Sequence, residues 1–343
     1  MKFFVILIIA CCFSSGLSAQ RLSPTDRKSM ARQEDSLKIQ CRKILMEEKL
    51  KARFDADSLF TRLLVKVLKT PYSFQYKFDS LNTISIQYPA DSSFRIITWQ
   101  LVVNENLTRQ HGAIQMRTDD GSLRLFPLID KSDVTERLVD TVGNNRGWIG
   151  AVYYKVIQKR SGLQNVYTLL GYDENNIRST RKIIEILTFS NDEPVFGSRI
   201  ISFEKDTVFR SAQSRYVMEY KKQAGPRLNY DPEMDMIIME HLISESGEPK
   251  KKWTLIPDGA YEGFKWENGK WIHIEKVFNY VTPEVKEGEL PQLKGDANTK
   301  AADEYELEED ANGRPGTEPV TKPEEKTKPA PAKPKTDPKK KNG

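Results

Sequence analysis

The stretch from Arg146 to Phe203 constrains this chain more than any other. It reads as two strands joined at Ser161-Gly162, a polar turn at Asp173 to Asn176, and two further strands joined around Asn191-Asp192. Between Trp148 and Ile157 both alternating sets are largely apolar. Trp148, Val152, Tyr154 and Val156 fall on one face, and Ile149, Ala151, Tyr153 and Ile157 on the other. Strand side chains alternate between faces, so a strand apolar on both faces is covered on both. This segment therefore belongs at the centre of the fold, with shorter and more polar hairpins around it.

The rest of the chain divides by period. Residues 20–71 are helical: Ser23 caps the free amides, Pro24 suits the first helical position, and Asp26 sits where a capping-box acid belongs. Met30, Leu37, Cys41, Ile44 and Leu45 then form a narrow apolar stripe. A second helix, capped by Asp55 or Asp57, carries the denser face Phe60, Leu63, Leu64, Val67 and Leu68, and packs on the sheet. From Tyr72 the period changes to two. Ile97, Trp99, Leu101 and Val103 share one side of a strand, and the alternation continues through Ile114, Met116, Leu123 and Leu125. The last unit, Phe264 to Ile272, contains Asn268-Gly269, which tolerates positive φ and favours the turn that matches strand twist. In that register Trp266 faces Trp271 and Phe264 faces His273. Residues 72–282 thus make a mainly β domain of antiparallel hairpins. Its expected form is a sandwich or half-barrel, with a small propeller as the alternative.

Residues 1–19 have the makeup of a secretory signal peptide. Lys2 precedes the apolar run Phe3 to Ala10, and Leu17-Ser18-Ala19 closes a small-residue region before Gln20. Cleavage after Ala19 is the first reading; lipoprotein processing at Cys11, behind Ile8-Ile9-Ala10, is the other. Removing Lys2 changes the formal charge from +5 to +4, close to balance for 343 residues. That balance, with export, argues against a nucleic-acid partner. The mature chain keeps one of three cysteines, Cys41, so it has no intrachain disulfide. No membrane-spanning helix is expected in the mature chain. Residues 283–343 hold half of the eighteen prolines, an acidic block and a Lys-rich end, a composition that reads as a disordered tail.

Signals for chemistry are sparse. His111, His241 and His273 have no metal-ligand spacing and no helical zinc motif, and there is no phosphate-binding glycine loop. Neither a metal nor another cofactor is therefore expected. Asp173, Asn175 and Asn176 begin like a calcium loop, but Arg178 replaces the glycine and Ile184 the closing glutamate, so a self-capped turn is the plainer reading. Glu185 and Glu240 sit inside apolar strands, where a carboxylate is paired or shifted. Trp99, Trp148, Tyr153, Trp266 and Trp271, with His273 on the hairpin face, are candidates for a sugar- or peptide-binding surface. At β spacing the same aromatics also serve as core.

The segments Phe94 to Gln100, Tyr167 to Asp173 with Asn175-Asn176, Lys182 to Ile184, Pro194 to Gly197, and Pro257 through Trp271 occur in a recognisable order. Taken together, they resemble a group of uncharacterised exported bacterial proteins, over about Tyr72 to Tyr280. The resemblance implies one domain and supplies no catalytic residues. The expectation is an exported, non-catalytic binding or envelope-associated module, its partner an envelope polymer or another envelope protein. A carboxylate-dependent polymer hydrolase and a carrier of an apolar ligand are the alternatives.

Overall fold

The computed structural model describes residues 21–278. The signal-peptide and tail assignments lie outside them. The described part is mainly β, with two helices leading in and no closed barrel.

Helix α1, Pro24–Met46, begins as its sequence requires. Ser23 caps it and accepts from the Asp26 amide at 3.0 Å, and Pro24 follows. Met30, Leu37, Cys41 and Ile44 are its buried stripe, while Leu45 is exposed. Helix α2, Leu50–Leu68, starts earlier than its acids suggested. Lys49 precedes it without a side-chain cap, and Asp55 and Asp57 lie inside the helix. Asp57 faces the sheet instead. There it accepts from Trp99 Nε1 at 2.7 Å and lies 3.3 Å from His111 Nδ1.

Three sheets follow. The first has the order β1 (Ser85–Gln87), β2 (Phe94–Asn104), β3 (Leu107–Met116) and β4 (Arg124–Ile129). The central sheet contains β5 (Gly143–Asn144), β6 (Val152–Ser161), β7 (Gln164–Asp173), β8 (Ser179–Ser190) and β9 (Glu193–Phe196). The third is built from β10 (Ile201–Ser202), β12 (Leu228–Asp231), β13 (Met236–Ser244), β14 (Leu255–Glu267) and β15 (Lys270–Ile274). Strand β11 (Arg215–Lys221) joins the central sheet along the first half of β8, from Ser179↔Lys221 to Glu185↔Arg215. Strand β9 takes the second half of the same edge. All strand pairs are antiparallel except β10 with β15.

Three cores stack between these layers. The helices cover one face of the first sheet through Phe60, Leu64, Ile97, Trp99 and Leu101. The opposite face of that sheet (Phe94, Ile96, Ile114) meets the central sheet through Tyr167, Leu169, Ile183 and Leu187. The other face of the central sheet (Leu170, Ile184, Ile186, Met218) meets the third sheet through Ile237, Met239, Phe264 and Trp271. Strands β7 and β8 are apolar on both faces because they lie between two sheets. Strand β6 departs from simple alternation. A register shift between Tyr153 and Lys155 reverses the expected facing beyond it: Val156 joins Tyr153 in the first–central core, and Ile157 joins Tyr154 against the central–third core. Trp148 precedes the strand proper and shares the Tyr153 side.

A charged pair sits inside the first–central core. Arg215 Nε donates to Glu185 Oε2 at 2.7 Å, and both side chains are buried. The Ile186 amide donates to Glu185 Oε1 at 3.0 Å, and Arg215 Nη1 also reaches the Leu138 and Thr141 carbonyls. At the other end of the chain, Asn268 (φ 50°) and Gly269 (φ 78°) make the tight turn between β14 and β15. Trp266 is opposite Trp271 and Phe264 opposite His273, the register their sequence required.

Cys41 is buried against the first core, and burial pushes its thiol up to about 12. The thiolate is the reactive form. Cys41 is therefore expected to resist a soluble disulfide reagent in the native protein and to react fully in denaturant. Rapid labelling of the native chain would show that α1 does not pack as described.

Candidate functional site

The turn after β7 is built by its own polar side chains. The Asn175 amide donates to Asp173 Oδ1 at 2.9 Å, and the Arg178 and Ser179 amides donate to Asn176 Oδ1 at 2.8 and 3.1 Å. Asn175 takes a left-handed φ of 55°, which asparagine tolerates better than most residues. The Asx oxygens thus close the turn itself, as caps do elsewhere.

This turn forms one wall of a cleft of about 550 Å³ at the end of the first sheet. Gln110 and His111 contribute from β3, Asp130 and Ser132 from the segment after β4, and Asp173 and Arg181 from the β7–β8 hairpin. The floor is a fixed polar network. Gln110 Nε2 donates to Asp173 Oδ1 at 3.0 Å, and the Gln110 amide donates to Asp130 Oδ2 at 3.0 Å. Asp130 Oδ1 also accepts from the Ser132 and Gly150 amides at 2.9 and 3.1 Å. Position 150 must be glycine here, because a Cβ would lie 2.5 Å from Asp130 Cγ and from Gln110 Cβ.

Electrostatics separate Asp173 from the other acids. Burial raises its carboxyl above the ordinary value, and the Asp130 charge adds to this. The Asn175 amide, Arg181 (3.7 Å from Oδ2) and Gln110 pull the other way without cancelling it. Arg181 is shared, with Nε donating to Glu219 Oε2 at 3.1 Å. Gln110 is almost completely buried, and its Oε1 has no hydrogen-bond partner. A buried acceptor left unpaired is costly, so this oxygen favours any donor that enters the cleft.

The residues singled out in the sequence divide among several places. Asp173, Asn175, Asn176 and Trp99 line this cleft, Trp99 as a buried residue packed edge-on to Phe60 at 5.0 Å. Trp148 and Tyr153 are fully buried, with Trp148 Nε1 donating to the Tyr153 hydroxyl at 2.8 Å. Trp271 is fully buried as well and donates to Thr168 Oγ1 at 2.8 Å; Trp266 packs edge-on against it at 5.1 Å. His273 is buried between Phe203 and Phe264. Its Nδ1 lies 2.8 Å from Asp206 Oδ1, and its Nε2 is 3.4 Å from Glu262 Oε2, within ion-pair range but not aligned as a hydrogen bond. The aromatics therefore do not form one exposed face. They sit on strands covered from both sides, where an indole contributes more as core than as surface. Glu185 is the partner of Arg215, and Glu240 Oε2 accepts from the Arg227 amide at 2.6 Å.

Gln110, Asp130 and Arg181 had no sequence signal of their own. Gln110 and Asp173 are 63 residues apart in sequence and meet only when the first sheet packs on the central one. No protein-family model, curated protein or solved structure matches the chain.

The raised Asp173 carboxyl links the cleft to stability. Its folded pKa is above its unfolded value, so the stability it contributes is full below the unfolded pKa and is lost as pH rises through the folded one. Asp173→Asn keeps an Oδ1 for both the Asn175 and Gln110 donors. In denaturant titrations the variant is expected to exceed the wild type in stability at pH 7 and to show no advantage at pH 3. A variant less stable at pH 7 would contradict this account of Asp173.

Proposed function

We propose that the chain is an exported, non-catalytic binding module that uses the Asp173 cleft to hold a polar, hydrogen-bonding segment of an envelope polymer. The observation that carries this reading is the state of the cleft's acids. Two of its three acids are already held by fixed donors, Asp130 by three backbone amides and Asp173 Oδ1 by Gln110 and the Asn175 amide, while the third, Asp133, is exposed. Hydrolysis by a carboxylate pair needs one acid free to protonate a leaving group and another free to act on water or carbon. Asp173 has the raised carboxyl suited to the first role, but its Oδ1 is taken by two donors and its Oδ2 lies 3.7 Å from Arg181. Binding needs less. It needs a concave polar wall and a few unpaired groups, which Gln110 Oε1, the Asn176 Nδ2 amide and the side chains of Thr61 and Thr108 supply. The charged, apolar and small-residue order of residues 1–19 supports export. Among the described residues no helix is long and apolar enough to cross a membrane.

The test is titration of the mature chain with oligosaccharide and peptide fragments of envelope polymers, followed by amide chemical shifts. Shifts are expected at Gln110, His111, Asn175 and Asn176. Gln110→Leu is expected to weaken binding by about tenfold, the worth of one buried hydrogen bond. The fragments should emerge unchanged between pH 4 and pH 8. Turnover of a fragment that is abolished by Asp173→Asn would replace the binding reading with the hydrolase one.

A further inference from the structure

The β7–β8 hairpin has a second cleft on its opposite face. Tyr172 and Lys182 are cross-strand partners, immediately beside the Asp173–Arg181 pair that lines the first cleft. Strand alternation turns one pair to each side. On the Tyr172–Lys182 side the third sheet stops short of this end of the hairpin, and a cavity of about 810 Å³ remains. Tyr154, Tyr172, Thr180, Lys182 and Tyr220 form its wall on the central sheet, and Arg227 and Asn229 come from the segment leading into and along β12.

The groups around this cavity share a bias. Its lining includes Lys182, Lys222 and Arg227, and no carboxylate-bearing residue. The nearby acids are engaged: Glu174 Oε1 pairs with Lys222 at 2.6 Å, its Oε2 accepts from the Tyr172 hydroxyl, and Glu240 accepts from the Arg227 amide. Lys182 is half-buried, and among the described residues its ammonium makes no hydrogen bond or ion pair within 4.0 Å. Burial lowers its pKa, and the more distant Glu240 charge opposes that shift. Tyr220 is 3% exposed, and its hydroxyl likewise has no partner among the described residues. Burial pushes that phenol up to about 12, so it remains a donor at neutral pH. The Tyr154 hydroxyl is used internally, donating to the Leu228 carbonyl at 2.8 Å, which fixes its ring in the wall.

A half-buried cation without a partner is costly unless an anion reaches it. A bare ion would leave most of the cavity unfilled. The Tyr154 and Tyr172 rings offer surfaces for the C–H face of a sugar, and Thr180, Asn229 and the Tyr220 hydroxyl offer partners for its hydroxyls. We propose that this cleft binds a sugar ring carrying a carboxylate or phosphate, with Lys182 meeting the anion and Tyr220 a ring oxygen substituent. The site is separate from the Asp173 cleft, and its failure would leave the reading of that cleft untouched.

The experiment is calorimetric titration of the mature chain with glucuronate, glucose 6-phosphate, glucose and inorganic phosphate. One of the two acidic sugars is expected to bind at least about tenfold more tightly than glucose and than inorganic phosphate, and which one does so names the anion. Lys182→Met should weaken that ligand by about tenfold or more, and Tyr220→Phe, which keeps the packed ring, by several-fold. Three outcomes would overturn the proposal: no saturable binding of either acidic sugar at millimolar concentration, inorganic phosphate binding as well as the phosphosugar, or affinity unmoved by the Tyr220→Phe variant.

Discussion

The fold depends on a sheet with no free face. Strands β7 and β8 are covered by the first sheet on one side and the third on the other, so every polar group between those layers must find its partner inside the protein. The hardest case is Glu185, which lies in the middle of β8 with no exposed surface. Arg215, its register partner on β11, supplies the compensating charge and directs Nη1 to the Leu138 and Thr141 carbonyls. One guanidinium thereby ties the sheet to the irregular segment around residues 137–141. A second buried arginine does similar work in the first sheet. Arg95 donates to Gln115 and to the Ser73 and Tyr76 carbonyls, between the rings of Phe74 and Phe78.

The same layering places the clefts. Both open where the covering sheets end, at the turn end of the β7–β8 hairpin, and on opposite faces of it. Asp173 and Arg181 face one cleft, and their neighbours Tyr172 and Lys182 face the other. Two consecutive cross-strand pairs therefore give opposite chemistry: a walled-in acid beside Gln110 on one side, an unpaired cation beside phenols on the other. Strand geometry alone produces this division, since adjacent positions cannot point the same way.

How much of this was legible in the sequence depends on the range of each interaction. The Ser23 cap, the Asn268-Gly269 turn and the facing of Trp266 with Trp271 are set by neighbours, and the sequence carries them openly. The run apolar on both faces, Trp148 to Ile157, was legible as part of the central sheet, but it leads into the edge strand β6, and β7 and β8 take the middle. The register shift in β6 was not. An extra residue between Tyr153 and Lys155 exchanges the faces of Val156 and Ile157 without altering the composition of the run. Asp57 looked like a cap because acids favour helix starts, but its real partners, Trp99 and His111, are 42 and 54 residues away. The clefts were the least legible. Asp173 was visible as a turn, whereas Gln110, Asp130 and Lys182 acquire meaning only from the packing of sheets.

The Glu185–Arg215 pair is where this account is most exposed to test. The measurement is urea denaturation of Arg215→Met alone and of the double variant Glu185→Leu with Arg215→Met. Removing only the arginine strands a buried carboxylate and is expected to cost about 3–5 kcal/mol, while removing both charges should recover a clear part of that loss. A single variant that loses less than about 1 kcal/mol, the range of an exposed pair, would mean that Glu185 is not sealed between the sheets. The layered arrangement described here would then be wrong at its centre.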